Sequence, residues 1–93
     1  MTTESFKSVW DAIEDTSAEA ENMKLRSRLM MALERHINTK GWTQSEAAKK
    51  LGVTQPRVSD LLRGKINLFG LDTLVNMAFA AGLHVEMQVL DVA

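Results

Sequence analysis

The sequence predicts a mainly α-helical domain of about five helices, followed by one C-terminal β-strand. Three observations support this prediction. Apolar residues recur every three or four positions through most of the 93 residues, which is the spacing of one helix face. Helix-capping residues and glycines fall at the ends of these periodic segments. Only Leu83–Val89 alternates apolar and polar side chains with period two, as a strand does.

Length and composition limit the possible classes of protein. Ninety-three residues make one small domain, and because such a domain buries a modest fraction of its surface, we expect oligomerisation to add stability. The sequence has no cysteine, which excludes disulfides and thiolate metal sites. No apolar stretch is long enough to cross a membrane, and the first ten residues lack a signal-peptide pattern. We therefore expect a cytoplasmic protein.

Residues 1–16 are predicted to form an acidic arm that contains a short amphipathic helix over residues 5–15. A helix of this length does not persist alone in water. We therefore expect it to dock on its own domain, on a dimer mate or on a different protein. Its apolar edge, the candidate partner-binding site, consists of Phe6, Val9, Trp10 and Ile13.

Residues 17–82 are predicted to form the folded domain, beginning with a long helix from about Ser17 to Thr39. The sequence Thr16-Ser17-Ala18-Glu19 is a capping box that marks its start. Trp42 is expected to close the core beneath the next helix, with a surface position for partner binding as the alternative. The side chains that recur every four residues and are expected to face the core are Leu25, Leu29, Leu33 and Ile37.

Residues 43–65 are predicted to form two short helices joined by a tight turn. The first begins with a capping box, in which a threonine hydroxyl and the carboxylate of Glu46 satisfy backbone N–H groups. Gly52 ends it, because glycine tolerates the left-handed backbone that a chain reversal needs. Thr54 caps the second helix, and Pro56 falls in its first turn, where the missing N–H costs nothing. The expected buried side consists of Ala47, Ala48, Leu51, Val53, Val58, Leu61 and Leu62.

The outward side of the second helix carries polar side chains near its N-terminus. This arrangement, after an alanine-rich helix and a glycine turn, is the one with which a helix-turn-helix protein reads the major groove of DNA. Glutamine can bond an adenine edge, and arginine can form two hydrogen bonds with guanine. The candidate base-reading residues are Gln55, Arg57, Ser59, Asp60 and Arg63. Asp60 either accepts from cytosine or orients a neighbouring arginine, and the alternative for the whole stretch is a plain αα-hairpin.

Helix starts and basic side chains around these two helices are candidates for contacts with DNA phosphates, which position a protein without specifying sequence. The segment 65–70 is predicted to be a loop anchored by its apolar residues. The candidate phosphate-positioning residues are Gln44, Lys49, Thr54, Lys65 and Asn67.

The remaining chain is predicted to form one more helix and the strand. The helix runs from Leu71 to Ala81 and ends at Gly82, and its inward residues are expected to be Leu71, Leu74, Val75, Ala78 and Phe79. Residues 83–93 are predicted to be a dimerisation strand and tail, in which the strand pairs with its copy across a two-fold axis. An extended tail ordered by a different protein is the alternative. The candidate dimerisation residues are Leu83, Val85, Met87 and Val89.

The net charge of −1 is divided unevenly along the chain. Residues 1–23 carry one basic and six acidic side chains, and residues 66–93 carry three acidic ones. Residues 24–65 carry ten basic and three acidic side chains, a net charge of +7. A basic segment that coincides with the candidate DNA-reading helices indicates a nucleic-acid binder, although a solvated helical face accounts for single lysines and arginines.

The helix-turn-helix segment resembles the λ-repressor/Cro-like (XRE) family, whose alanine, turn glycine and apolar helix residue are matched by Ala48, Gly52 and Val58. The wider run from Trp42 to Val89 is similar to HigA-type antitoxins of type II toxin–antitoxin operons. This resemblance implies a λ-repressor-like bundle that dimerises, represses transcription at its own operator in double-stranded DNA, and inhibits a RelE/HigB-like toxin. A stand-alone XRE-family regulator without a toxin and a purely structural interaction domain are the alternatives.

No motif indicates catalysis. The sequence has no glycine-rich phosphate loop, nucleophile elbow or paired-carboxylate cleft, and we expect neither enzymatic activity nor a cofactor. His36 and His84 lie on different predicted elements without a carboxylate at ligand spacing, so we expect surface or half-buried histidines and no zinc site.

Overall fold

The structure is a computed structural model that describes residues 13–91, with side chains from Ala18 onward. The helices are α1 (Ile13–Lys40), α2 (Gln44–Leu51), α3 (Gln55–Leu62) and α4 (Leu71–Ala80), and a 3₁₀ turn spans Ile66–Leu68. This mainly α-helical architecture agrees with the prediction. None of the helices within residues 13–91 has an apolar run of the length that a membrane-spanning segment needs.

The predicted C-terminal strand is wrong. After α4, residues 83–91 have no regular secondary structure, and no β-strand occurs anywhere in residues 13–91. A strand forms only where its backbone groups pair with a neighbouring strand. The described part of the chain offers this segment no such neighbour. The period-two pattern of Leu83–Val89 assigns side chains to two faces, and that alternation alone does not create a strand.

The number and start of the helices also differ from the prediction. The described residues contain four α-helices instead of about five, and most of the predicted helix over residues 5–15 lies outside them. The backbone is already helical at Ile13 and continues through Thr16 and Ser17, the predicted capping residues. No glycine or proline precedes Gly41 in the sequence, so no residue type in this stretch forces a break.

The core lies where α1, α3 and α4 meet, and α2 closes it. Each of these helices contributes side chains that are almost completely buried, and so does the residue after the 3₁₀ turn. Phe69 is the largest of the fully buried side chains, at 1% exposed. The buried core consists of Met30, Leu33, Ile37, Ala47, Ala48, Leu51, Val58, Leu61, Phe69, Leu74, Met77 and Ala78.

Three apolar residues that were predicted to face the core are exposed. Leu25 of α1 and Val75 of α4 are more than one-third exposed, and Phe79 of α4 is 81% exposed. The apolar stripes on both helices are broader than the core of a domain this small can cover. Helix periodicity identifies an apolar face but does not show how much of it another element covers. The outer side of α4 is therefore partly apolar, since Val75 and Phe79 are exposed there beside Asp72 and Asn76.

The connection between α2 and α3 is determined by residues close in sequence. Thr43 Oγ1 accepts a hydrogen bond from the Glu46 N–H at 3.1 Å, and Glu46 Oε1 accepts one from the Thr43 N–H at 2.9 Å, which completes the predicted capping box. Gly52 has φ +72° and ψ 30°, and its N–H donates to Ala48 O. The left-handed turn at Gly52 directs the chain into α3.

Replacing Gly52 with alanine is expected to lower the free energy of unfolding by about 1–2 kcal/mol, the usual cost of a left-handed backbone for a residue with a Cβ. A Cβ at Gly52 would meet only Ala80 Cβ, at 4.0 Å, so the cost is conformational and not a steric overlap. Gly52→Asn should cost less, since asparagine visits this conformation more readily. Urea denaturation measures both, with Ser45→Ala on the exposed side of α2 as the control. Equal stability of Gly52→Ala and the wild type would contradict this explanation of the turn.

Candidate nucleic-acid interface

Helix α3 is anchored to the domain along one side, which leaves its N-terminal turn exposed. Val58 and Leu61 are buried, and Leu62 is half-buried. Thr54 caps the helix, because its Oγ1 accepts a hydrogen bond from the Arg57 N–H at 3.4 Å, and Pro56 lies in the first turn. The first turn therefore presents the positive end of the helix dipole to solvent.

Three of the five predicted base-reading residues form one outward stripe of α3. Gln55, Ser59 and Arg63 are spaced four residues apart and so lie above one another on the helix surface. Gln55 and Arg63 are exposed, and Ser59 is half-buried. Within residues 13–91, none of these side chains has a hydrogen-bond or ion-pair partner. The stripe therefore offers amide, hydroxyl and guanidinium groups, which suit the donors and acceptors of base edges.

The other two predicted base readers, Arg57 and Asp60, contact the loop after α3. Arg57 Nη2 donates to Leu68 O at 3.1 Å, and its Cζ lies 4.6 Å from the centroid of the Phe69 ring. Asp60 Oδ1 lies 3.9 Å from Lys65 Nζ, so this carboxylate pairs with a lysine instead of orienting an arginine. The structure thus divides the five predicted residues into a free stripe and a pair that contacts the loop.

Sequence reasoning missed Arg26, which also holds this loop. Arg26 Nη1 in α1 lies 3.3 Å from Ile66 O and 3.4 Å from Phe69 O, within hydrogen-bond range of both. These partners are 40 and 43 residues away in sequence. No periodicity or capping rule connects positions so far apart, so the sequence contains no signal from which this contact could be predicted.

The five predicted phosphate-positioning residues are all exposed. Gln44 and Thr54 lie at the starts of α2 and α3, Lys49 lies in the last turn of α2, and Lys65 and Asn67 flank the start of the 3₁₀ turn. The neighbouring Lys50 is different, because its Nζ lies 5.9 Å from the centroid of the Trp42 ring. All five residues thus lie on or immediately beside the two helices of the candidate interface.

The two histidines contact different parts of the structure. His36 Nε2 lies 3.2 Å from Ala81 O, and its ring packs edge-on against the half-buried Trp42 at a centroid distance of 5.3 Å. His84 Nε2 lies 3.5 Å from Glu86 Oε2 at the exposed C-terminal segment. Among the described residues, no three His, Cys, Asp or Glu side chains come together as a metal site would require.

The predicted dimerisation residues lie outside this interface, and most of the predicted partner-binding residues lie outside the described part of the chain. Phe6, Val9 and Trp10 are outside the described residues, and only the backbone of Ile13 is described, at the start of α1. In the C-terminal segment, Leu83 is half-buried against the core, whereas Val85, Met87 and Val89 are exposed. Val85, Met87 and Val89 are therefore exposed apolar side chains on a segment without regular secondary structure.

Comparisons with known proteins agree with this geometry. A family model described as a helix-turn-helix domain matches residues 12–90. A solved structure, assigned by its name to the XRE family of transcriptional regulators, superposes with a TM-score of 0.74 and is 32% identical in sequence, covering 78% of this chain and 82% of its own. No curated protein matches the sequence. The chain therefore belongs to the XRE family of helix-turn-helix proteins.

Proposed function

We propose that this protein is a sequence-specific DNA-binding transcriptional repressor that acts on its own operator. The observation that carries the proposal is the stripe of Gln55, Ser59 and Arg63, whose exposed polar groups have no partner within residues 13–91. The net charge of +7 over residues 24–65 supports it, because phosphate attraction supplies much of the affinity for DNA. The family, and the name of the XRE relative as a transcriptional regulator, support it further.

In this proposal α3 enters the major groove with its N-terminal turn leading, as recognition helices of this motif do. The stripe on α3 reads base edges. The start of α2, the N-cap Thr54 and the exposed Lys49 contact phosphates on either side and fix the position of the helix.

The sequence supplies a matched pair of glutamines to test this division of roles. Gln55 and Gln44 each follow a capping threonine at the first position of a short helix. Gln55→Ala is expected to reduce affinity for the operator by about 1–3 kcal/mol and to relax preference at one base pair. Gln44→Ala should weaken binding to all sequences alike. Fluorescence anisotropy with a duplex from the gene's upstream region, a scrambled duplex and single-base variants measures both effects.

The salt dependence of the same titration tests the phosphate contacts. Between roughly 50 and 200 mM salt, operator affinity should fall steeply, and Lys49→Ala should reduce the slope by about one. If the wild type bound the native and scrambled duplexes equally and weakly, the helix-turn-helix would be a scaffold and the proposed function would be lost. If Gln55→Ala changed no base preference, the assignment of the reading stripe would be wrong.

We propose that the repressor is a homodimer, since two copies of α3 one helical turn apart would fit successive major grooves. The support is the exposed apolar surface of α4 and the C-terminal segment, where Phe79, Met87 and Val89 are each more than 80% exposed. Next to it, Leu29, Ala32, Leu83 and Val85 line a groove of about 280 Å³. Several large apolar side chains left exposed on so small a domain are typical of a protein interface.

Phe79→Glu is expected to convert the dimer into a monomer, because it places a charge on the apolar surface without touching the core. Operator affinity should then fall at least about tenfold, since two linked half-site contacts become independent. Met31→Glu is the control, because Met31 is also exposed but borders a different groove, beside Glu34 and Arg35. Sedimentation equilibrium measures the association state. A Phe79→Glu variant that remained dimeric would show that the dimer interface does not include Phe79.

We further propose that the protein is the antitoxin of a type II toxin–antitoxin operon, with a RelE/HigB-like toxin as its partner. The support is the N-terminal arm, whose four acidic side chains and apolar edge complement a basic RNA-binding surface. A stand-alone XRE-family regulator is the second candidate, and it predicts no function for the apolar edge in binding another protein.

Deleting residues 1–12 is expected to abolish binding to the product of the neighbouring gene and to leave operator affinity unchanged. This deletion removes Phe6, Val9 and Trp10 and leaves every described residue in place. The full-length double variant Phe6→Ala/Trp10→Ala should have the same effect, because it removes the two largest apolar side chains of the arm. Isothermal titration calorimetry with the purified product of the neighbouring gene measures binding to that protein. Fluorescence anisotropy measures operator affinity. Unchanged toxin binding by both variants would exclude the arm as the interface.

A further inference from the structure

Two arginines from different helices hold the carbonyl groups of the loop that follows α3. Arg57 of α3 donates to Leu68 O at 3.1 Å. Arg26 of α1 lies within hydrogen-bond range of Ile66 O and Phe69 O, at 3.3 and 3.4 Å. Three of the four carbonyls of residues 66–69 therefore face a guanidinium group.

The loop and α3 are joined by further contacts. The guanidinium of Arg57 lies over the Phe69 ring, and because Phe69 is 1% exposed, this ring is a fixed platform. On the same side of the helix, the Asp60 carboxylate lies 3.9 Å from Lys65 Nζ, and Asp60 O accepts from the Lys65 N–H at 3.1 Å. These contacts connect the loop to α3.

The loop has little internal support of its own. Its 3₁₀ turn contains two short-range backbone hydrogen bonds, from the Leu68 N–H to Lys65 O at 3.0 Å and from the Phe69 N–H to Ile66 O at 3.2 Å. Hydrogen bonds of this type have poorer geometry than those of an α-helix. The position of the exposed Asn67, whose side chain has no partner in the described part of the chain, therefore depends on the two arginines and Phe69.

We propose that Arg57 and Arg26 are positioning residues for DNA binding, which hold the 3₁₀ turn so that Asn67 reaches a phosphate beside α3, and that Arg57 does not itself read a base. This inference rests on the proposed function. It changes the role that the sequence pattern assigned to Arg57, from a contact with guanine to a support for a neighbouring contact.

The energetics favour this role. If Arg57 turned toward a base, it would give up the Leu68 carbonyl and the Phe69 ring, and the carbonyl would lose its partner. Gln55, Ser59 and Arg63 need no such rearrangement, because within residues 13–91 their side chains have no hydrogen bond or ion pair to give up. Both guanidinium groups also keep their positive charge beside the turn, which attracts a phosphate to the amide of Asn67.

A double-mutant cycle on operator affinity tests the proposal with the full chain. Asn67→Ala is expected to weaken binding roughly tenfold, since it removes a hydrogen bond to a charged group. Arg57→Ala should also weaken binding roughly tenfold, and the double variant should be little worse than either single one, because both changes remove the same contact. Losses that multiplied to roughly a hundredfold would show that Arg57 contacts DNA independently and would overturn the proposal.

Arg63→Ala is the matched control, since it removes an arginine from the same stretch without a contact to the loop. Its loss should multiply with that of Asn67→Ala. A panel of operators with single base changes supplies the second readout. Arg57→Ala should weaken all of them by the same factor, whereas Arg63→Ala should change the preference at one position. Lost preference at a guanine in Arg57→Ala would restore this residue as a base reader.

Arg26→Met supplies an independent variant if Arg57→Ala fails to fold, because Arg26 approaches the loop from α1. Arg26→Met should weaken binding to all of the operators by the same factor. Combined with Asn67→Ala, it should weaken binding little more than either single variant does. Hydrogen exchange at the Leu68 and Phe69 amides should accelerate in either arginine variant, and unchanged exchange would contradict the positioning role. If the wild type bound no duplex specifically, the proposed function would fail and this inference with it. If the wild type bound its operator specifically but the losses of Arg57→Ala and Asn67→Ala multiplied, this inference would fail and the proposed function would stand.

Discussion

The burial of the Phe69 ring is the interaction on which the candidate interface depends. The ring packs into the core from the end of the 3₁₀ turn, supports the guanidinium of Arg57 on its outer side, and belongs to a residue whose carbonyl faces Arg26. Removing a buried phenyl ring typically costs about 3–5 kcal/mol, a large part of the stability of a small domain. The buried Phe69 ring therefore contributes both to the stability of the domain and to the geometry of its polar surface.

The charge of this protein is distributed unevenly along the chain. A chain with a net charge of −1 has a weak overall field, yet its positive side chains are concentrated in residues 24–65. The acidic segments on either side limit the range of this field. Such a distribution limits non-specific attraction to polyanions, because the excess positive charge is confined to one segment of the chain.

The stretch from α2 to α3 could be predicted in detail because its determinants are local. The capping box of Thr43 and Glu46, the left-handed Gly52 and the buried Val58 each depend on residues within about four positions, and all three are confirmed. The same rules fixed which side of α3 faces the core and so identified Gln55, Ser59 and Arg63 as outward. Features that depend on residues close in sequence could therefore be predicted from the sequence alone.

The features that were not predicted from the sequence depend on residues far apart in the chain. The direction of Arg57 depends on Leu68, 11 residues later, and the role of Arg26 depends on carbonyls about 40 residues away. The exposure of Phe79 depends on how far the core extends over α4, which periodicity does not encode. The predicted strand required a pairing partner that the described chain does not contain. In each case the missing information was the position of another element in space.

The length of α1 determines where substitutions can accumulate without disturbing the core. The helix has 28 residues and extends about 42 Å, yet residues 18–22 are all exposed and, from Ala18 onward, its first buried side chain is Met30. Substitutions in this exposed stretch alter local helix stability and leave the packed core untouched. The sequence of this exposed stretch can therefore change without altering the packing of α2, α3 and the 3₁₀ turn.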